Sequence, residues 1–256
     1  MLPRDGLAGL EFPDEMARLL DLGDRALQRW EIVCSDFLSP PVLAEAEGLF
    51  RRFTEVEILA WGGYEQAERQ RLAIGRSTPT IGDIPLLPLE IGGNFLFDPA
   101  THRDFLGAIL GTGIERGKVG DILVLGDRGA QTIVEPSLGE YLILNLQQVR
   151  TVPVKVRPIG WEELQVRPPK TKEIVSVEAS LRLDAIASAG FGMSRSKMVE
   201  LIQQAEVRVN WKTIAQPSHT LKIGDLIAIR GKGRLTLDDV MVTKKNRYRV
   251  QMTRTV

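Results

Sequence analysis

The chain has a single cysteine, Cys34, and two histidines, His102 and His219, in 256 residues. A lone cysteine excludes an intramolecular disulfide and suits a reducing compartment. One Cys and two distant His leave too few ligands for a structural zinc site. No apolar run approaches the roughly 18 residues that a membrane-spanning helix needs. The N-terminus, Met1-Leu-Pro-Arg-Asp, lacks the charged-then-apolar order of a secretory signal and is too acidic for a transit peptide. His102 falls in the first turn of an expected helix and His219 beside Pro217-Ser218 in a turn, so capping or surface roles are expected of both. No catalytic constellation, cofactor motif or metal site emerges. The expectation is a cytoplasmic, monomeric, non-catalytic protein without a membrane span.

Net charge is also absent, since 33 Lys and Arg balance 33 Asp and Glu. The balance conceals an asymmetry. From Lys170 onward there are sixteen basic and eight acidic residues, and up to Pro169 there are seventeen basic and twenty-five acidic. A basic C-terminal third on an acidic body is the distribution of a nucleic-acid binder with one dedicated module, with an uneven solvated surface as the plainer alternative. The length and the 43% hydrophobic content suit two or three compact units, each with its own core.

The most informative stretch runs from Ser180 to Arg234. Ser180 is a candidate N-cap for a short helix carrying Leu181, Leu183, Ile186 and Ala187, which should stop at Ala189-Gly190. Ser194 is the candidate N-cap of a second helix, where Met198, Leu201, Ile202 and Ala205 recur at helical spacing and line one face. Arg195, Ser196 and Lys197 occupy its first turn, where two cations oppose the helix dipole and a bound anion would remove the conflict. Val207 and Val209 alternate with Arg208 and Asn210 as in a half-buried strand. Gly224-Asp225 make a turn, Leu226 to Arg230 read as another strand, and Gly231-Lys232-Gly233-Arg234 as a flexible basic loop.

These residues resemble the S4 RNA-binding module. The likeness rests on Arg182-Leu183-Asp184, Ser194-Arg195-Ser196, Leu201-Ile202, Val207-x-Val209-Asn210, Gly224-Asp225 and Arg230-Gly231-Lys232-Gly233-Arg234. The chain departs from that pattern at Ala205-Glu206, where a Gly is usual, and at Asn210-Trp211, where Asn-Gly is usual. The resemblance implies phosphate and shape contacts to structured RNA. It implies as RNA-binding residues Arg182, Ser194, Arg195, Ser196, Lys197, Arg208, Asn210, Lys212, Arg230, Lys232 and Arg234, with Lys244, Lys245 and Arg247 as a basic group nearer the end. Trp211 either stacks on a base or packs on the module's core. Asp184 is expected to orient Arg182 or cap a turn.

Before that module, residues 13–53 read as helical. Met16, Leu19, Leu20 and Gly23 form a stripe that Ala26, Leu27, Trp30 and Val33 continue, Asp36-Phe-Leu-Ser39 breaks it, and Pro40-Pro41 open a second helix. Val56 to Trp61 alternates like a strand, and Tyr64 to Arg69 is a short helical candidate. Arg69, Arg71 and Arg76 either touch phosphate or decorate a solvated edge strand. Residues 84–159 carry a βαββαβ rhythm, with a capping box at Thr101 and Asp104 and a helix from Pro136 whose Leu138, Tyr141, Leu142 and Leu146 face inward. That order fits a ferredoxin-like sandwich, the topology RNA-recognition motifs also use. The glycines from Gly111 to Gly117 follow a helix rather than a strand and so mark a helix stop, not a dinucleotide fingerprint.

Trp61-Gly-Gly-Tyr-Glu-Gln-Ala-Glu-Arg69, Thr101 to Arg116 and Val119-Gly-Asp-Ile122, with the basic Thr243 to Arg247, resemble the YlmH family, which in cyanobacteria includes the photosystem II S4 domain protein. The resemblance implies an α+β chain divided as a helical N-terminal region (1–76), an RNA-recognition-like middle domain (77–160), a proline-rich linker (161–176) and an S4 domain (177–256). It implies ribosomal RNA, and with it tRNA, as partners on the large ribosomal subunit. The alternatives are an RNA-modifying enzyme and an assembly factor for photosystem II.

Overall fold

Pro13 stands in the first turn of a helix, where its missing N–H costs nothing, and Asp14 and Glu15 follow it there. This helix, α1 (Pro13–Arg29), buries Met16, Leu19, Leu20, Gly23 and Ala26, and Trp30 ends it in a left-handed conformation. Then come β1 (Val33–Leu38), α2 (Pro40–Phe50), β2 (Glu57–Trp61) and β3 (Gln70–Gly75). The N-terminal helices are present, but they pack on an antiparallel three-stranded sheet ordered β1-β3-β2. Sequence periodicity reads β1 as part of a helix and a break. Its inward positions are Val33, Ser35 and Phe37, and the polar Ser35 masks the alternation. Ser35 is tolerated there because its Oγ accepts the Leu72 N–H at 2.9 Å. Tyr64 to Arg69 form turns, not a helix. β3 is the central strand rather than an edge, and Arg69 and Arg71 are tied to backbone carbonyls around it, while Arg76 beyond its end is exposed. Arg71 is 5% exposed and donates to the carbonyls of Ser35 and Pro85. Arg69 donates to those of Phe37 and Val119, and Arg76 lies 4.2 Å over the Trp30 ring.

The structure, a computed structural model, describes residues 1–255 and divides into two compact units, Met1–Val166 and Arg167–Val256. The first unit continues with β4 (Leu87–Gly92), α3 (His102–Gly111), β5 (Val119–Val124), β6 (Gly129–Val134) and α4 (Gly139–Asn145). A short hairpin of β7 (Gln148–Val149) and β8 (Val152–Pro153) leads to β9 (Lys155–Pro158). The order β5-β6-β4-β9, antiparallel throughout, is the split βαβ arrangement of a ferredoxin-like sandwich. One face packs Leu89, Ile91, Ala130 and Val134 against Phe105, Ile109 and Leu142 of the helices. Tyr141 faces outward, against the inward placement its spacing suggests, and its hydroxyl donates to the Thr112 carbonyl at 2.6 Å.

The second unit starts inside the expected linker. Only part of 161–176 is irregular, because β10 (Thr171–Glu178) already belongs to a six-stranded sheet. Its alternation is weak: Ile174, Ser176 and Glu178 turn inward while Val175 and Val177 are exposed. Next come α5 (Leu183–Phe191), α6 (Arg195–Gln203), β11 (Val207–Val209), β12 (Lys212–Thr213), β13 (Leu226–Ile229), β14 (Gly233–Val242) and β15 (Tyr248–Thr255). Strand order is β10-β15-β14-β13-β11-β12, all antiparallel. The N-cap of α5 is Arg182, not Ser180, and Leu181 lies outside the helix. Gly233 and Arg234 belong to β14 rather than to a loop. Met198, Leu201 and Ile202 of α6 join Val207, Val209, Ile227, Ile229, Leu235 and Val250 of the sheet in one core.

Candidate nucleic-acid interface

The N-termini of α5 and α6 meet at one carboxylate. Asp184, whose side chain is 4% exposed, accepts from Nε and Nη2 of Arg182 at 3.1 and 3.0 Å. It also accepts from Nε and Nη2 of Arg195 at 3.1 to 3.2 Å. Burial would raise this carboxyl's pKa, but the hydrogen bonds and charges of the two arginines outweigh burial and hold it below the usual carboxylate range. The same contact raises Arg182. Two guanidinium groups share one carboxylate, so the cluster keeps a net positive charge, and both arginine side chains remain partly open to solvent. The expectation that Asp184 orients Arg182 understates it, since Asp184 orients Arg195 as well.

Ser194 caps α6 as its sequence suggests, its Oγ accepting the Lys197 N–H at 3.3 Å. Ser196 lies beside it, with hydroxyl oxygens 3.2 Å apart. The Lys197 ammonium donates to Glu200 at 2.8 Å, so this cation is shared with an internal carboxylate.

Strand alternation separates the remaining candidates. Val207, Val209, Ile227, Ile229 and Leu235 point to the helices, so Arg208 and Arg234, flanking Ala228 in register, lie on the opposite sheet face. Trp211 joins them: the Arg234 guanidinium lies 4.8 Å from its ring, and Arg208 donates to its carbonyl at 2.8 Å. Trp211 is thus part of a cation cluster and not of the module's core. Asn210 is committed to the turn, donating to Asp225 and accepting from the Leu226 N–H. Lys212, Arg230, Lys232, Lys244, Lys245 and Arg247 are exposed, the last three at the β14–β15 turn. The candidates therefore form a helix-layer cluster, a sheet-face cluster and a hairpin-tip group, not the single patch that their sequence proximity suggests.

Three family models match successive parts of the chain. Residues 11–78 match the family model "YlmH, N-terminal", residues 79–163 "Putative RNA-binding domain in YlmH", and residues 181–227 "S4 domain". The chain is 30% identical over 233 residues to "Ribosome-associated protein quality control protein P2" of Bacillus subtilis, covering 89% of each protein. The chain belongs to the YlmH family. A part of it is also 33% identical over 75 residues to "Small ribosomal subunit protein uS4" of Azotobacter vinelandii, covering 29% of this chain and 36% of that protein. The fold is shared with "Cell division protein ylmH from Streptococcus pneumoniae", with a TM-score of 0.53 and 20% identity over 60% of this chain and 94% of that one.

Two features of this YlmH chain stand out against its pattern. α5 ends in a Schellman turn on Gly192, and α6 ends in the same turn on Ala205 at φ +60°, with the Glu206 N–H bonded to the Leu201 carbonyl. Asn210 and Trp211, at φ +48° and +66°, form a tight hairpin turn that ordinarily selects Asn-Gly. At Ala205 and Trp211 the left-handed backbone is kept without glycine.

The middle domain of this YlmH chain has no stacking platform. RNA-recognition sheets present aromatics on their central strands. Here the corresponding outward residues of β4 and β6 are Pro88, Glu90, Gln131 and Ile133, and β6 is buried along its whole length. Gln131 bonds the Glu163 carbonyl and the Gln165 N–H, and the Gly63 backbone lies so close to both Ile133 and the Trp161 ring that a Cβ there would come within 2.9 and 2.7 Å of them. The topology is RNA-recognition-like, but that face is occupied by the unit's own chain.

Proposed function

We propose that this YlmH-family protein is a non-catalytic, cytoplasmic, monomeric RNA-binding protein that grips structured ribosomal RNA through its S4 module on the large ribosomal subunit, within reach of tRNA. The single observation that carries this reading is the Arg182–Asp184–Arg195 cluster beside the capped N-terminus of α6. It presents two oriented guanidinium groups and the N–H groups of a helix's first turn to an anion. Charge supports it: the second unit holds seventeen basic and eight acidic residues, the first sixteen and twenty-five. The covered outer face of the middle sheet, which lacks exposed aromatics, supports the choice of the S4 module. The ribosomal assignment leans on the name of the Bacillus subtilis relative.

The proposed domain limits are 1–76, 77–160 and an S4 module whose start moves back from 177 to Thr171, where its sheet begins. Photo-crosslinking in cells, followed by sequencing of the attached RNA and mapping of the crosslinked peptides, tests the reading. Large-subunit ribosomal RNA attached to peptides of the second unit is the expected result. RNA attached chiefly to the first unit, or no enrichment of ribosomal RNA, would overturn it.

A further inference from the structure

Two consecutive left-handed residues close the turn between β11 and β12, Asn210 at φ +48° and Trp211 at φ +66°. Asparagine enters that region readily, but a bulky aromatic there is a backbone outlier, and such strain clusters at functional positions. Core packing does not account for it. Trp211 lies outside the core of the second unit, half-buried on the outer face of the sheet. The strained turn places a large ring on that face, where the Arg234 guanidinium lies 4.8 Å from its centroid.

Strand register defines the surroundings of the ring. Thr213, Arg208, Ala228 and Arg234 form one row across β12, β11, β13 and β14, and Leu226 and Thr236 belong to the next. All six point away from the helices, and none is a carboxylate. Among the described residues, the carboxylates of this face stand on its other half. They are Glu173 on β10 and Asp238 and Asp239 at the bulge of β14, where Asp238 accepts the Thr253 hydroxyl at 2.8 Å. Asp225, next to Leu226, is engaged by Asn210 and the Lys222 N–H at 2.8 and 2.7 Å. The half of the sheet that carries the ring is therefore cationic.

A ring beside guanidinium groups suits a nucleic-acid base and its phosphates, since bases stack on aromatic rings and on guanidinium planes alike. In a paired helix the base faces are already stacked on one another, so only an unpaired base can use such a platform. Position leads to the same choice. The Arg182–Asp184–Arg195 cluster belongs to the helix layer, on the other side of the sheet. A stiff RNA helix held there cannot also lie flat against Trp211, whereas a flexible unpaired strand can reach both faces.

We propose that the outer sheet face of the second unit takes an unpaired RNA segment, with one base stacked on the Trp211–Arg234 pair and its phosphates drawn to Arg208 and Arg234. This rests on the reading of the second unit as RNA-binding and names the class of RNA it takes: a folded element with an unpaired segment beside it.

The test measures two probes on the full chain, a blunt RNA hairpin and unstructured oligouridylate. The proteins are the wild type, Trp211→Gly and Arg182→Ala/Arg195→Ala. Trp211→Gly restores the Asn-Gly pair that this turn ordinarily takes, so the variant keeps the turn. Trp211 is the one tryptophan of the second unit, with Trp30, Trp61 and Trp161 in the first. Oligouridylate should quench tryptophan fluorescence in the wild type, and that quenching should vanish in Trp211→Gly. The affinity for oligouridylate relative to the hairpin should fall about tenfold or more in Trp211→Gly, as for the loss of one stacked base. In Arg182→Ala/Arg195→Ala the same ratio should move the other way. Absence of oligouridylate binding by the wild type, quenching that persists in Trp211→Gly, or an unchanged ratio in that variant would each overturn the proposal. Hairpin affinity that is indifferent to Arg182→Ala/Arg195→Ala would instead count against the grip of the helix layer, so the two failures are distinguishable.

Discussion

Asp184 and Arg195 stand eleven residues apart, on different helices, and their side chains meet at 3.1 Å. Arg182 completes the group from the other side at 3.0 Å. Asp184 holds two long, flexible cations in one orientation. If the cluster grips RNA as proposed, the carboxylate works against simple charge arithmetic but orders both guanidinium groups in advance.

Asp184→Asn removes a negative charge, yet it is expected to weaken RNA binding. Each guanidinium released from the carboxylate must be ordered on binding, at about 0.5–1.5 kcal/mol per side chain. Electrophoretic mobility shifts with a ribosomal RNA fragment check this. A gain in affinity would show that Asp184 is only an electrostatic burden.

The same carboxyl ties stability to pH. Its folded pKa lies below the ordinary value, so the stabilisation it contributes is intact above the unfolded value of about 3.9 and is lost as pH falls through the lower folded value. Wild type is expected to lose more stability than Asp184→Asn across that acid window, as read by denaturant titration at a series of pH values.

Ala205→Gly should stabilise the second unit by about 1 kcal/mol, because a left-handed L-residue costs roughly that much and glycine avoids it. The gain is offset in part by the extra entropy of glycine in the unfolded chain. A melting temperature that stays level or falls would mean that the Ala205 methyl makes a compensating contact.

Trp211→Gly separates stability from function. It relieves the turn at φ +66° but removes the ring beneath Arg234. Stability is expected to change little, while RNA affinity drops by about 1–3 kcal/mol if the ring also stacks on a base. Equal RNA affinity in the two proteins would confine Trp211 to holding Arg234.

In the first unit, Asp121→Ala is expected to cost about 2–3 kcal/mol. It strands the Tyr64 hydroxyl and the backbone N–H groups of Glu68 and Arg69, which Asp121 accepts at 2.7, 2.7 and 3.1 Å. Chemical denaturation of the full chain measures it.

Local signals carry much of the fold in the amino-acid sequence itself. The spacing of Met198, Leu201 and Ile202, the cap at Ser194 and the capping box at Thr101 and Asp104 each act within a few residues, so sequence alone reveals them. Tertiary contacts decide the rest. Ser35 is an inward strand residue only because β3 supplies its hydrogen bond, so β1 reads as a break. β10 and β14 carry exposed Val175, Val177 and Met241, and β10 pairs with β15 far along the chain. The same holds for the site. Residue type and position single out Arg182 and Arg195, but their common tether to Asp184, and the separation of Arg208 and Arg234 onto the other sheet face, follow from helix packing and strand parity.

The salt dependence of RNA binding tests the central claim most directly. Wild type and the Arg182→Ala/Arg195→Ala double variant are titrated with the same ribosomal RNA fragment over a range of potassium chloride. Each lost phosphate contact should lower the slope of log affinity against log salt by about 1, so the double variant should bind more weakly with a slope shallower by about 2. Equal slopes and equal affinities for the two proteins would contradict the account.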